Sequence, residues 1–132
     1  MPHKSLLRFV AEWPSSGCLR RAGIFAAAYD LRRSDRCLPE LSTELNDLLT
    51  WFGADLPIPG RFARSRRPHA HPVAVSWFKP SAHEHVRKAR RLVQILAACG
   101  VSVDELRTSR PGYVVFEDEF QVVAEPFSDT PT

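Results

Sequence analysis

Long apolar runs are missing from this sequence. No segment approaches the roughly 20 apolar residues that a membrane-spanning helix requires, which excludes that class of architecture. The first residues, MPHKSLLRFVAEWP, hold no apolar stretch of signal-peptide length, so the expected location is the cytoplasm, with no membrane partner. Cysteine is scarce as well. Cys18, Cys37 and Cys99 are odd in number, far apart and in no CxxC pair. That excludes a disulfide scaffold and a Cys-based zinc finger as read from spacing, and leaves three free thiols. There is no phosphate-binding glycine loop, no nucleophile elbow and no Cys/His/Asn arrangement. The expectation is therefore that the chain carries no catalytic residue and no cofactor.

What is present fits an ordinary globular protein. With 132 residues, the chain is expected to form one α+β domain over residues 1–127, with a disordered tail at 128–132. Eleven prolines fall mainly in connections, which points to short elements joined by stiff turns. The net charge of +3 conceals a strong asymmetry along the chain. Residues 61–91 hold nine Lys/Arg and one acid, Glu84, whereas residues 100–132 hold seven Asp/Glu and two arginines.

Hydrophobic periodicity supplies the elements. Residues 5–13 read as a strand, followed by a small polar turn at 14–17. Residues 23–29, GIFAAAY, are alanine-rich and are read here as a second strand, with residues 31–36 as a loop. A helix is expected from Pro39, with Leu41, Leu45, Leu48, Leu49 and Phe52 at helical spacing, Trp51–Phe52 docking it on the sheet and Gly53 as its stop. Residues 73–78, VAVSWF, read as a strand buried on both faces. The next helix should begin with Ser81 as N-cap, Glu84 closing a capping box, and end at Gly100. Its inward stripe is Ala82, His85, Val86, Ala89, Leu92, Val93 and Leu96, and Arg87, Lys88, Arg91 and Gln94 face out. A strand over 101–108, a turn centred on Pro111–Gly112, and a hairpin of residues 113–117 and 120–125 complete the chain. Strand, helix, strand and hairpin predict a ferredoxin-like or related sandwich, an antiparallel-rich sheet covered by two helices. A right-handed crossover would join the strands at 73–78 and 101–108.

Three stretches, LLTWFGADLPIPGRF, VSWFKPSAHEHVRKAR (with its WFK) and RPGYVVFEDEFQVVAEPF, resemble a family of small uncharacterised bacterial proteins. The resemblance spans about residues 40–127. It implies no activity, cofactor or partner for any residue.

Four of the five histidines lie in HAHPVAVSWFKPSAHEH, residues 69–85. If metal is bound, His69 and His71 are the candidate ligands, because i and i+2 share one side of an extended segment. His83 and His85 diverge by about 200° on a helix and cannot both face one ion. A third ligand would come from Glu117, Asp118 or Glu119. The same histidines beside arginines are the ingredients of a metal-free ribonuclease, one acting as base and one as acid. The basic segment 61–91, with Phe62 among its arginines, suggests phosphate contacts from Arg64, Arg66, Arg67, Arg87, Lys88 and Arg91. Pairing of those cations with the chain's own acidic half is the competing explanation. Weighed together, the features favour a non-catalytic, accessory or regulatory module that binds a protein partner, with the segment 120–125 as a candidate sheet edge. Nucleic-acid binding comes second and the ribonuclease third. The opposed charge of the two halves also allows homo-oligomers.

Overall fold

The structure, a computed structural model, describes residues 5–15, 17–34, 36–55 and 74–132. Its elements in chain order are β1 (Leu6–Ser15), β2 (Cys18–Gly23), α1 (Ile24–Arg33), α2 (Pro39–Asp55), β3 (Val75–Phe78), α3 (His83–Ala98), β4 (Ser102–Thr108), β5 (Tyr113–Glu117) and β6 (Gln121–Glu125). The class is α+β, as the periodicity predicts: an antiparallel sheet of six strands with helices packed on it. Strand order is β2-β1-β3-β6-β5, and β4 pairs with β1. There are three helices among the described residues, one more than expected. None is long and apolar enough to cross a membrane. The described residues divide into two compact units, one of residues 5–8, 74–86 and 106–132, the other of residues 9–55 and 87–105.

In the first unit, β3 lies between β1 and β6. Leu7 stands opposite Phe78, and Val75, Ser76, Trp77 and Phe78 stand opposite Ala124, Val123, Val122 and Gln121. Leu6, Trp77 and Val122 form the buried cluster, with Val75 and Leu106 packed against it. Each large apolar side chain fully removed from water there contributes about 1.5–3 kcal/mol. The Trp77 indole Nε1 is buried and has no hydrogen-bond partner among the described residues. Both faces of β6 are covered, which is why its Gln121–Ala124 run is apolar apart from one residue. The segment 120–125, expected as an edge, is therefore interior. The end strand on this side is β5.

The β5–β6 turn is built by Asp118. Its Oδ1 accepts from the backbone N–H groups of Phe120 and Gln121 at 2.8 and 2.9 Å, and its own N–H donates to the Gln121 carbonyl at 3.0 Å. An acidic residue is favoured there because a carboxylate can satisfy two turn donors at once. The buried Gln121 is held by Ser76, whose hydroxyl donates to Oε1 at 2.7 Å. At the start of β5, Gly112 has φ +123. A Cβ there would collide with the Glu125 carbonyl group and lie 2.8 Å from Pro126 Cα. Beside it the last residues fold back. Thr130 Oγ1 donates to the Arg110 carbonyl and accepts from the Phe127 N–H, both at 3.1 Å.

In the second unit, β1 and β2 form a hairpin in register from Val10↔Gly23 to Ser15↔Cys18. The next segment corrects the sequence reading. Residues 24–33 are helical, and the strand is the preceding, mostly exposed Cys18–Gly23. Ile24, Ala27, Ala28 and Leu31, all at most 2% exposed, recur at i, i+3, i+4 and i+7. That is a helical stripe, and alanine is the strongest helix former. The Trp13 indole donates to Asp30 Oδ2 at 2.8 Å, tying α1 to β1.

Helix α2 starts at Pro39, where the missing N–H costs nothing. It buries Leu45, Leu48, Leu49 and Phe52, leaves Leu41 half-buried, and runs through Gly53 to Asp55. Phe52 packs edge-on against Phe25 of α1 at 4.9 Å, so α2 docks on a helix here. Helix α3 begins one residue later than the capping-box reading places it. The first intrahelical bond runs from the Val86 N–H to the Ala82 carbonyl, which makes Ala82 the N-cap. Ile95, fully buried, also belongs to its inward stripe. Its end is as expected: Val101 N–H donates to Leu96 O at 2.9 Å and Gly100 N–H to Ala97 O at 3.1 Å, with Gly100 at φ +86. This is the Schellman pattern.

Replacing Gly112 with Ala should lower stability by about 2–4 kcal/mol, because the added carbon meets backbone and the φ is disfavoured. Thermal unfolding of the variant beside Gly53→Ala, which meets open space, provides the check.

Candidate functional site

The outward face of α3 comes first, since it carries three of the expected phosphate contacts. Arg91 makes a two-pronged ion pair with Glu44 of α2, Nε to Oε2 and Nη2 to Oε1, each 2.6 Å. Such fork-to-fork geometry is the strongest form of an arginine–carboxylate contact. It holds the Glu44 carboxyl below its ordinary range and raises the Arg91 guanidinium, hydrogen bonding being the main cause in both. Lys88 places Nζ 5.0 Å from the centre of the Trp51 ring, a cation–π contact. Trp51 is half-buried and serves as this platform. Arg90 reaches Glu105 at 2.6 Å and lies over Phe9 at 5.7 Å. Arg87 is exposed. Arg64, Arg66 and Arg67 lie outside the described residues.

The histidines separate as helix geometry requires. His83 is exposed. His85, 5% exposed, stacks on Phe120 with ring centres 4.1 Å apart and planes at 24°. His69 and His71, the candidate metal ligands, lie outside the described residues. Among the described residues no three His, Cys, Asp or Glu side chains gather as a metal site. Of the carboxylates considered as a third ligand, Glu117 pairs with Lys79 at 2.7 Å and Asp118 holds the turn. Lys79, which follows β3, thus brings a cation to the hairpin from a distant position in the chain.

A different surface emerges at the start of β5. Tyr113 and Val114 are large apolar residues, 67% and 45% exposed, on the end strand of the sheet. Successive residues of a strand face opposite sides, so one projects to each side of the edge. The Tyr113 ring meets Phe127 edge-on at 4.9 Å, and the Arg110 guanidinium lies 5.2 Å from the centre of that same Phe127 ring. Arg110 also pairs with Asp129 at 3.3 Å, both side chains about two-thirds exposed. The pairing of β5 with β6 shifts register between Val114 and Phe116, a bulge that bends the strand. The sequence reads this stretch as a turn centred on Pro111–Gly112 followed by a strand. The available signal was an aromatic and a β-branched residue at once after a turn, with an arginine before it.

The other end strand, β2, differs in chemistry. Leu19 is 71% exposed there, but Arg20 lies over Trp13 and Arg21 bridges Glu12 and Asp104, each at 3.1 Å. Charged side chains along an edge discourage strand addition.

Against protein-family models, curated proteins and solved structures, the chain finds no match.

Two outcomes test this geometry. Arg91→Ala should return the Glu44 carboxyl upward toward its ordinary range, as read by carbon-detected NMR titration. In the unaltered protein the stabilising pair is present in full above the ordinary carboxylate range and is lost as pH falls through the lowered Glu44 value. Separately, Lys88→Gln with Arg91→Gln should leave the salt dependence of any RNA or DNA binding nearly unchanged. Were both residues on phosphates, the log–log slope would fall by about 1.4–1.8.

Proposed function

We propose that the chain is a non-catalytic binding module, an accessory or regulatory protein acting in the cytoplasm, and that it takes up an extended segment of a protein partner along β5. The observation that carries this reading is the exposure of Tyr113 and Val114 together on an end strand. An end strand offers unpaired main-chain groups to an added strand, and flanking side chains set the choice of segment. Tyr113 supplies a rigid amphipathic surface braced by Phe127, and Arg110 offers a charge whose present partner, Asp129, is solvent-exposed. The bulge limits the addition to a short segment, which separates partner binding from open-ended aggregation.

Nucleic-acid binding through the segment 61–91 is the weaker reading. Lys88 and Arg91 already have partners in α2, and exchanging those for phosphates would leave Glu44 unpaired. The ribonuclease reading is weaker still on the described residues, because His85 is buried against Phe120 and only His83 of that pair meets solvent.

The test is selection of extended peptides from a random library on the intact protein. Selected peptides should lose roughly tenfold or more in affinity against Tyr113→Ala, the scale of an interface aromatic. N-methylation at alternate backbone amides should abolish binding, while methylation of the intervening amides should be tolerated. Peptides indifferent to both changes would sink the reading.

A further inference from the structure

The end strand β5 carries opposite charges at its two ends. Arg110 stands before it, and Glu117, Asp118 and Glu119 close it. The three acids are unequal. Glu117 pairs with Lys79, and Asp118 accepts from the N–H groups of its own turn. Glu119 is exposed and has no ion pair among the described residues. Arg110 is only partly engaged. Its Nη1 meets Asp129 at 3.3 Å, while Nε and Nη2 have no hydrogen bond among the described residues. With both side chains about two-thirds exposed, that pair is weak. Arg91, by contrast, has two prongs closed on Glu44.

Between these two charges lie the exposed Tyr113 and Val114. A segment that complements this edge is apolar in its middle, acidic where it reaches Arg110 and basic where it reaches Glu119. The stretch RPGYVVFEDE, residues 110–119, has that composition itself. Laid antiparallel, a second copy brings its Glu119 to Arg110 and its Arg110 to Glu119. The two contacts are equivalent under a two-fold axis, so a single complex holds both and closes at two copies. A parallel copy would set like charges beside each other at both ends.

We propose that β5 pairs antiparallel with β5 of a second copy, Arg110 of each copy lying against Glu119 of the other. The proposal rests on the reading of β5 as an edge that accepts an added strand. It makes self-pairing and partner binding mutually exclusive, because both use the same edge. The register shift between Val114 and Phe116 interrupts the ladder near its middle, which leaves the choice of partner to the terminal charges and to Tyr113. A five-residue strand offers less than the about 1,200–2,000 Å² of a stable interface, so the dimer is weak and depends on concentration.

The experiment is sedimentation velocity of the full chain, kept reduced, over a micromolar to millimolar concentration series. The expected result is a monomer–dimer equilibrium that weakens about threefold or more from low to high salt. Arg110→Glu and Glu119→Arg should each raise the dissociation constant roughly tenfold or more, since like charges then meet at both ends. An equimolar mixture of the two variants should recover the dimer, because every contact in the mixed pair joins opposite charges. Asp129→Asn, which releases the Arg110 fork, should tighten the dimer about twofold. A dimer indifferent to the two charge reversals, or one lost in both variants and not recovered on mixing, would overturn the pairing. So would a chain that stays monomeric at every concentration. If that monomer still binds selected peptides in a Tyr113-dependent way, self-pairing fails and the edge reading stands; if its peptides ignore Tyr113→Ala, both fail.

Discussion

Trp77 packs between Leu6 and Val122, side chains from three strands that are distant in the chain. That contact fixes the register of β3 against β6, because a slip of one residue would turn Trp77 away and present Ser76 in its place. The register of β6 then fixes the hairpin to β5, and the hairpin fixes which strand is outermost. Gly112 completes the arrangement by letting the chain pass against the Glu125 carbonyl, where no side chain fits. The exposure of Tyr113 and Val114 is thus a consequence of core packing two strands away.

Charge works differently in the second unit. The cations of α3 look in sequence like a surface waiting for an anion. Folding supplies anions and rings from elsewhere: Glu44 for Arg91, Trp51 for Lys88, Glu105 for Arg90. These contacts are exposed or half-exposed, so each is modest in energy. A guanidinium held by two short hydrogen bonds offers a phosphate little unless its carboxylate partner is displaced.

Much of the architecture is legible from local pattern. The stripe Leu45, Leu48, Leu49 and Phe52 marks α2, and Gly100 marks the end of α3 through a φ that other residues resist. The α1 segment carried an equally local helical stripe, Ile24, Ala27, Ala28 and Leu31, obscured by the apolar run GIFAAAY, which a strand would also explain. The candidate site was far less legible. Nothing near Tyr113 in sequence announces that β6 lies inside the sheet and β5 at its end.

The sequence by itself determined the secondary structure of most segments, the two-sided burial of β3, and the opposition of a basic middle to an acidic end. These depend on a residue's own spacing of 3.6 or 2 positions and on charge, which folding does not alter. Only the tertiary structure decided that residues 120–125 are interior, that Arg91 belongs to Glu44, and that His85 stacks on Phe120. The physical reason is range. Strand order and side-chain partnership are settled by contacts between residues far apart in the chain, and those are selected by burial summed over each unit rather than by any signal at the residue itself.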